Sequence, residues 1–210
     1  MKAIETIYNG YRFRSRLEAR WAVFFDNLEI AYEYEPQGFV MNSGVQYLPD
    51  FYLPSFHCYF EVKHRPSKII RNLLPYDDFA DAIGTLAYES EVNNEFAGII
   101  AFGDPSDHYM WIFCKEDRNG EITQYDAPVV FEKDPRTKDI YLLAWDDDDS
   151  GSKVFRTGFS QASDQIPMFH DSRYWHVKAF HGVHDDIIQA ETQARQARFE
   201  YGENPKRKRW

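Results

Sequence analysis

The sequence predicts an α/β (α+β) domain, a mixed β-sheet flanked by helices. Three observations carry this: an apolar stripe of helical period near the N-terminus, a series of short β-rich runs broken by turn residues, and a second helical stripe between two groups of those runs.

The first stripe covers 15–28. Leu17, Trp21, Phe24, Phe25 and Leu28 recur at helical spacing, Ser15 is a good N-cap, and Glu18 three residues later completes a capping box. Tyr32 to Glu35 reads as a short strand closed by Pro36 and Gly38. Gln46 to Leu53 and His57 to Lys63 read as two more. Pro75 halts what precedes it, and Tyr76 to Glu91 follows as a helix with Phe79, Ile83, Leu86 and Ala87 on one side. Phe96 to Phe102 is a strand ending in the turn Gly103-Asp104-Pro105, and Tyr109 to Lys115 is its hairpin partner. Asp117 to Gly120 is a turn, and Val129 to Glu132 and Ile140 to Trp145 are weaker strands. The character changes after Trp145, where an acidic run from Asp146 to Asp149 leads into Ser150-Gly151-Ser152. A last helix is expected from about Asp185 to Tyr201, before a basic run from Lys206 to Arg209. The expected organisation is a domain over 1–145 and a C-terminal extension over 146–210, with no internal repeat.

The chain has 210 residues, of which 43% are hydrophobic and 28% charged, enough apolar material to exclude wholesale disorder. No apolar run approaches the roughly 20 residues that span a bilayer, so no membrane association is expected. Met1 to Thr6 shows no apolar secretion signal. Cys58 and Cys114 match no metal-ligand spacing and form no disulfide framework, so a reducing, cytoplasmic setting is expected. The first 75 residues carry nine Lys or Arg against eight Asp or Glu, so the acid excess behind the net charge of -10 lies entirely in the rest. Such a balance argues against non-specific coating of nucleic acid. It allows a nucleic-acid enzyme with one local basic surface, and the first third is the place for it.

Paired as a hairpin with Ser55 and Phe56 at the tip, Phe51 faces Phe60 and Leu53 faces Cys58. These residues and Val62 share an apolar face by the two-residue period of a strand. Asp50 then faces Glu61 on the other side, with Lys63 two residues along. Two carboxylates directly across a strand pair repel each other. A divalent cation resolves the conflict, because Mg²⁺ takes oxygen ligands from one or two carboxylates and keeps water and substrate phosphate as the rest. Such an ion acidifies water and neutralises charge on a phosphodiester transition state, while Lys63 can orient the attacking water. The plainer reading is a solvated hairpin face on which Glu61 and Lys63 form a surface pair.

Pro49-Asp50, ten intervening residues and then Glu61-Val62-Lys63 resembles the PD-(D/E)xK signature of the restriction-endonuclease-like nuclease superfamily. The stretches Tyr11 to Phe25, Tyr47 to Phe51 and Ala194 to Glu203 are similar to a group of small bacterial and phage proteins of that superfamily. The likeness covers 8–65 strongly, and 97–105 and 188–205 more faintly. It implies a restriction-endonuclease-like core, Mg²⁺ or Mn²⁺ as cofactor, Asp50 and Glu61 as metal ligands, and Lys63 as a catalytic group. It also implies a first-helix glutamate, Glu18, aimed at the same metal. As N3 of a capping box, Glu18 has a competing local role. Members of the superfamily often carry glycine after the lysine, where this chain has His64, which either ends the strand or touches substrate.

Arg12, Arg14, Arg16 and Arg20 cluster around the first helix start, either as a phosphate clamp or as a solvated basic face. Tyr52 and Tyr59 flank the carboxylates and serve either a nucleotide or cross-strand packing. His176, His181, His184 and Asp185 lack the spacing of a zinc site. The function expected is metal-dependent endonuclease cleavage of nucleic acid, DNA before RNA, in a bacterial cell or phage-infected host. The alternatives are an inert nuclease-fold binding module, or a phage structural or regulatory protein, with the acidic C-terminal region as surface for a protein partner or a second copy. The intact Asp50, Glu61 and Lys63 set argues against an inert copy. The geometric expectation is that Asp50, Glu61 and Lys63 lie together on the solvent side of the hairpin. A structure with the two acids on opposite sheet faces would end the metal-site argument.

Overall fold

A computed structural model describes residues 4–40, 44, 46–65, 97–118, 121–133, 138–146, 153–157 and 185–199. The helix expected over 76–91, the acidic residues Asp147 to Asp149, the histidines His176, His181 and His184, and the terminal basic run lie outside them.

Helix α1 is Arg16–Asn27, inside the span that the stripe predicts. Ser15 caps it from an extended backbone, its Oγ accepting the Glu18 amide at 3.1 Å. At the other end the Leu28 amide turns back to the Phe24 and Phe25 carbonyls. Ahead of α1, strands β1 (Thr6–Tyr8) and β2 (Tyr11–Phe13) form a two-residue hairpin that the sequence reading did not anticipate. Its tip, Asn9-Gly10, holds both residues at positive φ, 47° and 86°. That conformation suits Asn and Gly, and its twist matches the flanking strands.

Among the described residues the main sheet has eight strands: β3 (Glu33–Tyr34), β6 (Phe51–Leu53), β7 (Cys58–Lys63), β8 (Ala97–Phe102), β9 (Met110–Arg118), β10 (Glu121–Lys133), β11 (Ile140–Asp146) and β12 (Lys153–Thr157). Their order is β12-β11-β10-β9-β8-β7-β6-β3. Among the described strands only β7 and β8 run parallel, so the sheet is mixed and mostly antiparallel. A separate pair, β4 (Phe39–Val40) and β5 (Gln46–Tyr47), lies between β3 and β6 in sequence. Strand β10 is much longer than the expected 129–132, because Glu121 to Val129 pair with β9. Ladder pairing with β11 begins only at Val129. Strand β12 extends the sheet beyond the acidic run. Helix α2 (Asp185–Gln196) ends earlier than expected and packs against α1 through buried Ile187, Ala190 and Ala194.

The β6–β7 register is the one that the alternation predicts: Phe51 faces Phe60, Tyr52 faces Tyr59 and Leu53 faces Cys58. The connection is a single 3₁₀ turn, Pro54–Phe56, followed by His57 at φ 45°, in place of a Ser-Phe tip. Phe51, Leu53, Cys58, Phe60 and Val62 meet Trp21, Phe24 and Phe25 of α1 in one core. The Trp21 and Phe60 rings lie 4.8 Å apart, and those of Phe25 and Phe51 5.5 Å. The opposite sheet face has its own apolar cluster: Tyr47, Ile100, Phe102, Trp111 and Phe113, with Phe39, Tyr59 and Tyr109 against it. Residues 99–102 of β8 and 110–113 of β9 are therefore apolar on both faces. No described helix is long and apolar enough to cross a membrane.

Phe51 is fully buried among Phe13, Phe25, Tyr32, Tyr34 and Phe60. Phe51→Ala is expected to cost roughly 3–5 kcal/mol. Urea unfolding of wild type and variant measures it, and a cost below about 1 kcal/mol would mean that this face is not the core.

Candidate active site

Asp50 lies immediately before β6, and Glu61 and Lys63 lie near the C-terminal end of β7. The Val62 amide donates to Asp50 Oδ2 at 2.8 Å, and the Asp50 carbonyl accepts from the Glu35 amide at 2.9 Å. The aspartate is thus bonded both to β7 and to the segment after β3.

Glu61 carries one hydrogen-bond partner on each oxygen. The Lys63 ammonium is 2.6 Å from Oε1, and the Tyr47 hydroxyl donates to Oε2 at 2.9 Å. Tyr47, on β5, belongs to the second apolar cluster. That cluster changes the expected setting of the site. Asp50 is 7% exposed and Glu61 3%, so these acids do not stand on a solvated hairpin face. Neighbouring strand β8 places Ile100 and Phe102 beside Glu61 and Lys63, and the β4–β5 pair adds Tyr47 and Phe39. Tyr52 and Tyr59 stack across the strands with ring centres 5.0 Å apart, in keeping with cross-strand packing.

Glu18, the third residue of α1, is also buried. Its Oε1 takes a hydrogen bond from the Ser15 hydroxyl at 2.6 Å. Its Oε2 accepts from the Arg14 amide at 3.0 Å and from the Tyr34 hydroxyl at 2.7 Å. The box therefore closes one residue early, on the Arg14 amide. Glu18 remains close enough for its charge to act on Asp50.

The electrostatic consequence falls on Asp50. Burial is the largest cause, followed by the negative charges of Glu61 and then Glu18, and together they push its pKa up to about 8. The Val62 amide and the Lys63 ammonium oppose the shift. Lys63 sits against Glu61, so Asp50 is left to carry the repulsion. Burial raises the Tyr34 hydroxyl as well, helped by its bond to Glu18.

Two buried oxygen-donor acids, one of them pushed toward its neutral form by burial and then by repulsion, make a donor set whose charges a hard divalent cation would compensate. As they stand, no three of the described His, Cys, Asp or Glu side chains lie grouped closely enough to hold a metal ion. Asp50 and Glu61 are the two residues that would hold one.

The basic residues expected to meet nucleic acid divide. Arg12, on β2, is exposed and pairs with Glu5 at 3.6 Å. Arg14 pairs with Glu35. Arg16 begins α1, so Arg12, Arg14 and Arg16 do not continue one extended segment. Arg20 reaches Asp104 at 4.0 Å, and His64 is exposed just past β7. Sequence reasoning missed Tyr47 and Tyr34 as partners of the acids. Their spacing carries no signal for those roles, which depend on strands that pair at a distance. A cavity of about 1040 Å³ between the C-terminal part of α1 and α2, lined by Asp26, Tyr32, Lys133 and Gln193 among others, includes none of Asp50, Glu61, Lys63 or Glu18. Neither a family model nor a curated protein matches the chain.

The raised Asp50 pKa has a definite sign in stability. The folded state holds its proton up to about 8 while the unfolded state releases it near 3.8. The associated stabilisation is complete below 3.8, is lost progressively as pH rises to 8, and changes no further above that. Asp50→Asn is expected to melt increasingly above wild type across that window, with a constant difference outside it. Thermal melts over the range check this, and parallel curves would show that Asp50 is not perturbed.

Proposed function

We propose that the chain is a divalent-metal-dependent endonuclease with a restriction-endonuclease-like core, hydrolysing phosphodiester bonds in DNA. The single observation that carries this reading is the burial of Asp50 and Glu61 beside each other, with Lys63 against Glu61. Buried carboxylates that repel one another weaken a fold unless they serve a cation or a reaction.

Asp50 and Glu61 would hold Mg²⁺ or Mn²⁺, which supplies charge neutralisation at the phosphodiester and a more acidic water. The chain's own groups do the rest. Lys63 brings an ammonium to the edge of the carboxylates, where it orients a water against phosphorus or holds a non-bridging oxygen. Tyr47 fixes the Glu61 carboxylate in one orientation. Glu18, fixed by Ser15, Arg14 and Tyr34, adds negative potential that favours a cation at Asp50. The apolar surroundings keep bulk water away from these groups and strengthen each charge interaction.

One observation favours a second reading. Glu61 and Glu18 both have their oxygens engaged within the protein, a closed network that suits an inert nuclease-fold module, phage structural or regulatory, acting through protein contacts.

Cleavage of single-stranded, double-stranded and branched DNA in Mg²⁺ and in Mn²⁺ separates the two. Wild type is expected to cut at least one substrate, and Asp50→Ala to cut none. Lys63→Ala should lower turnover by roughly 10²–10⁴-fold, in the range of a lost proton-transfer group. Added cation should raise the melting temperature of wild type and of Lys63→Ala, and leave Asp50→Ala unmoved. If wild type cuts nothing and no cation moves its melting temperature, the inert reading stands.

A further inference from the structure

Three arginines from three separate parts of the chain converge on one loop beside Lys63. Arg20 comes from α1, Arg65 from the segment after β7, and Arg195 from α2. The loop is Gly103 to Asp107, which follows β8. Its first amide, of Gly103, donates to the Lys63 carbonyl at 2.8 Å, so the loop is fastened to the active-site strand. Asp107 accepts from the Arg65 guanidinium, Ser106 accepts from Arg195, and Asp104 lies 4.0 Å from Arg20.

These attachments are weak by type. Arg195 is held by a neutral hydroxyl. The Arg65 side chain is 53% exposed, and exposed ion pairs contribute little. Arg20 makes only a long contact, and its Nε is buried with no hydrogen-bond partner among the described residues. A guanidinium gains far more from a phosphate, whose oxygens accept two parallel N–H bonds. His108, at the end of the loop, pairs with buried Glu191 at 3.2 Å, one helical turn before Arg195, and so sets α2 against it. Arg12 and Arg14 are occupied by Glu5 and Glu35. In a chain of net charge -10, this cationic group is a local feature that can focus an anion onto one edge.

We propose that Arg20, Arg65 and Arg195 form a rim that binds the sugar–phosphate backbone of DNA next to Asp50, Glu61 and Lys63. Phosphate oxygens replace Asp104, Ser106 and Asp107 as the acceptors. The inference takes its ligand class from the nuclease reading, and its test is independent of cleavage.

The test is fluorescence anisotropy of the full chain with a labelled DNA duplex and its single strand, in EDTA, across a salt series. Wild type is expected to bind with a steep salt dependence. Arg65→Ala and Arg195→Ala should each reduce the slope of log K against log salt by about 0.9 on duplex and about 0.7 on single strands, one phosphate contact apiece. Arg65→Lys should keep the slope. Asp107→Asn should bind more tightly than wild type, because it removes a competing acceptor charge; a merely structural latch gives no such gain. Wild-type slopes in both alanine variants, or a wild type that binds neither DNA, would overturn the rim. Cleavage in Mg²⁺ is scored apart from binding. A chain that binds through these arginines and cuts nothing keeps the rim and loses the nuclease reading. A chain that cuts while both alanine variants keep the wild-type slope loses the rim alone.

Discussion

The pairing of Phe51 with Phe60 is the constraint on which the rest depends. Strands alternate faces with a period of two, so a slip of one residue would exchange every side chain of the hairpin. The aromatic packing of α1 holds the register from one side, through Trp21 on Phe60 and Phe25 on Phe51. With that face fixed, Glu61 and Lys63 have no choice but the other. The hydrophobic effect, acting on residues with no chemistry of their own, thus places the polar groups.

The polar groups in turn are unequal, although two of them are carboxylates in one place. Glu61 has a lysine and a tyrosine, while Asp50 has a backbone amide. One acid is neutralised by a neighbour and the other is pushed toward holding a proton. Separate environments for like groups are how a protein gives them separate roles. Here the asymmetry follows from strand position: Glu61 sits within β7 with Lys63 on its own side, and Asp50 sits just outside β6, where the ladder ends.

Much of this was legible in the sequence. The stripe from Leu17 to Leu28 and the Ser15 cap gave α1 almost to the residue, because both signals are local. The alternation around Phe51 and Phe60 gave the hairpin register for the same reason. The burial of Glu61 was not legible, because it depends on Tyr47 reaching that face and on β8 pairing beside β7, and both are set by distant pairing. The Asn9-Gly10 hairpin was legible and missed; its flanking strands are three residues each, too short for a periodicity to stand out. Strand β10 extends well before Val129 because Glu121 to Pro128 pair with β9, a long-range ladder that local periodicity does not signal. The charge-bearing loop at Gly103 to Asp107 shows in the sequence only as a turn, since its partners come from three remote segments.

That loop differs from ordinary surface loops, which accept insertions and drift in sequence. Gly103 sits at φ 88°, and a Cβ there would fall 2.0 Å from Asp107 Oδ2, the oxygen that accepts the Asp104 amide. The Trp21 indole donates to the Gly103 carbonyl at 3.0 Å, from a side chain that is itself in the core. The loop is therefore gauged from within. Its length and its first residue are as constrained as any core position, and variation among relatives of this chain would be expected to spare it while altering the exposed β1–β2 tip. A surface segment with the mutational tolerance of the interior is a marker that can be sought in other chains before any activity is known.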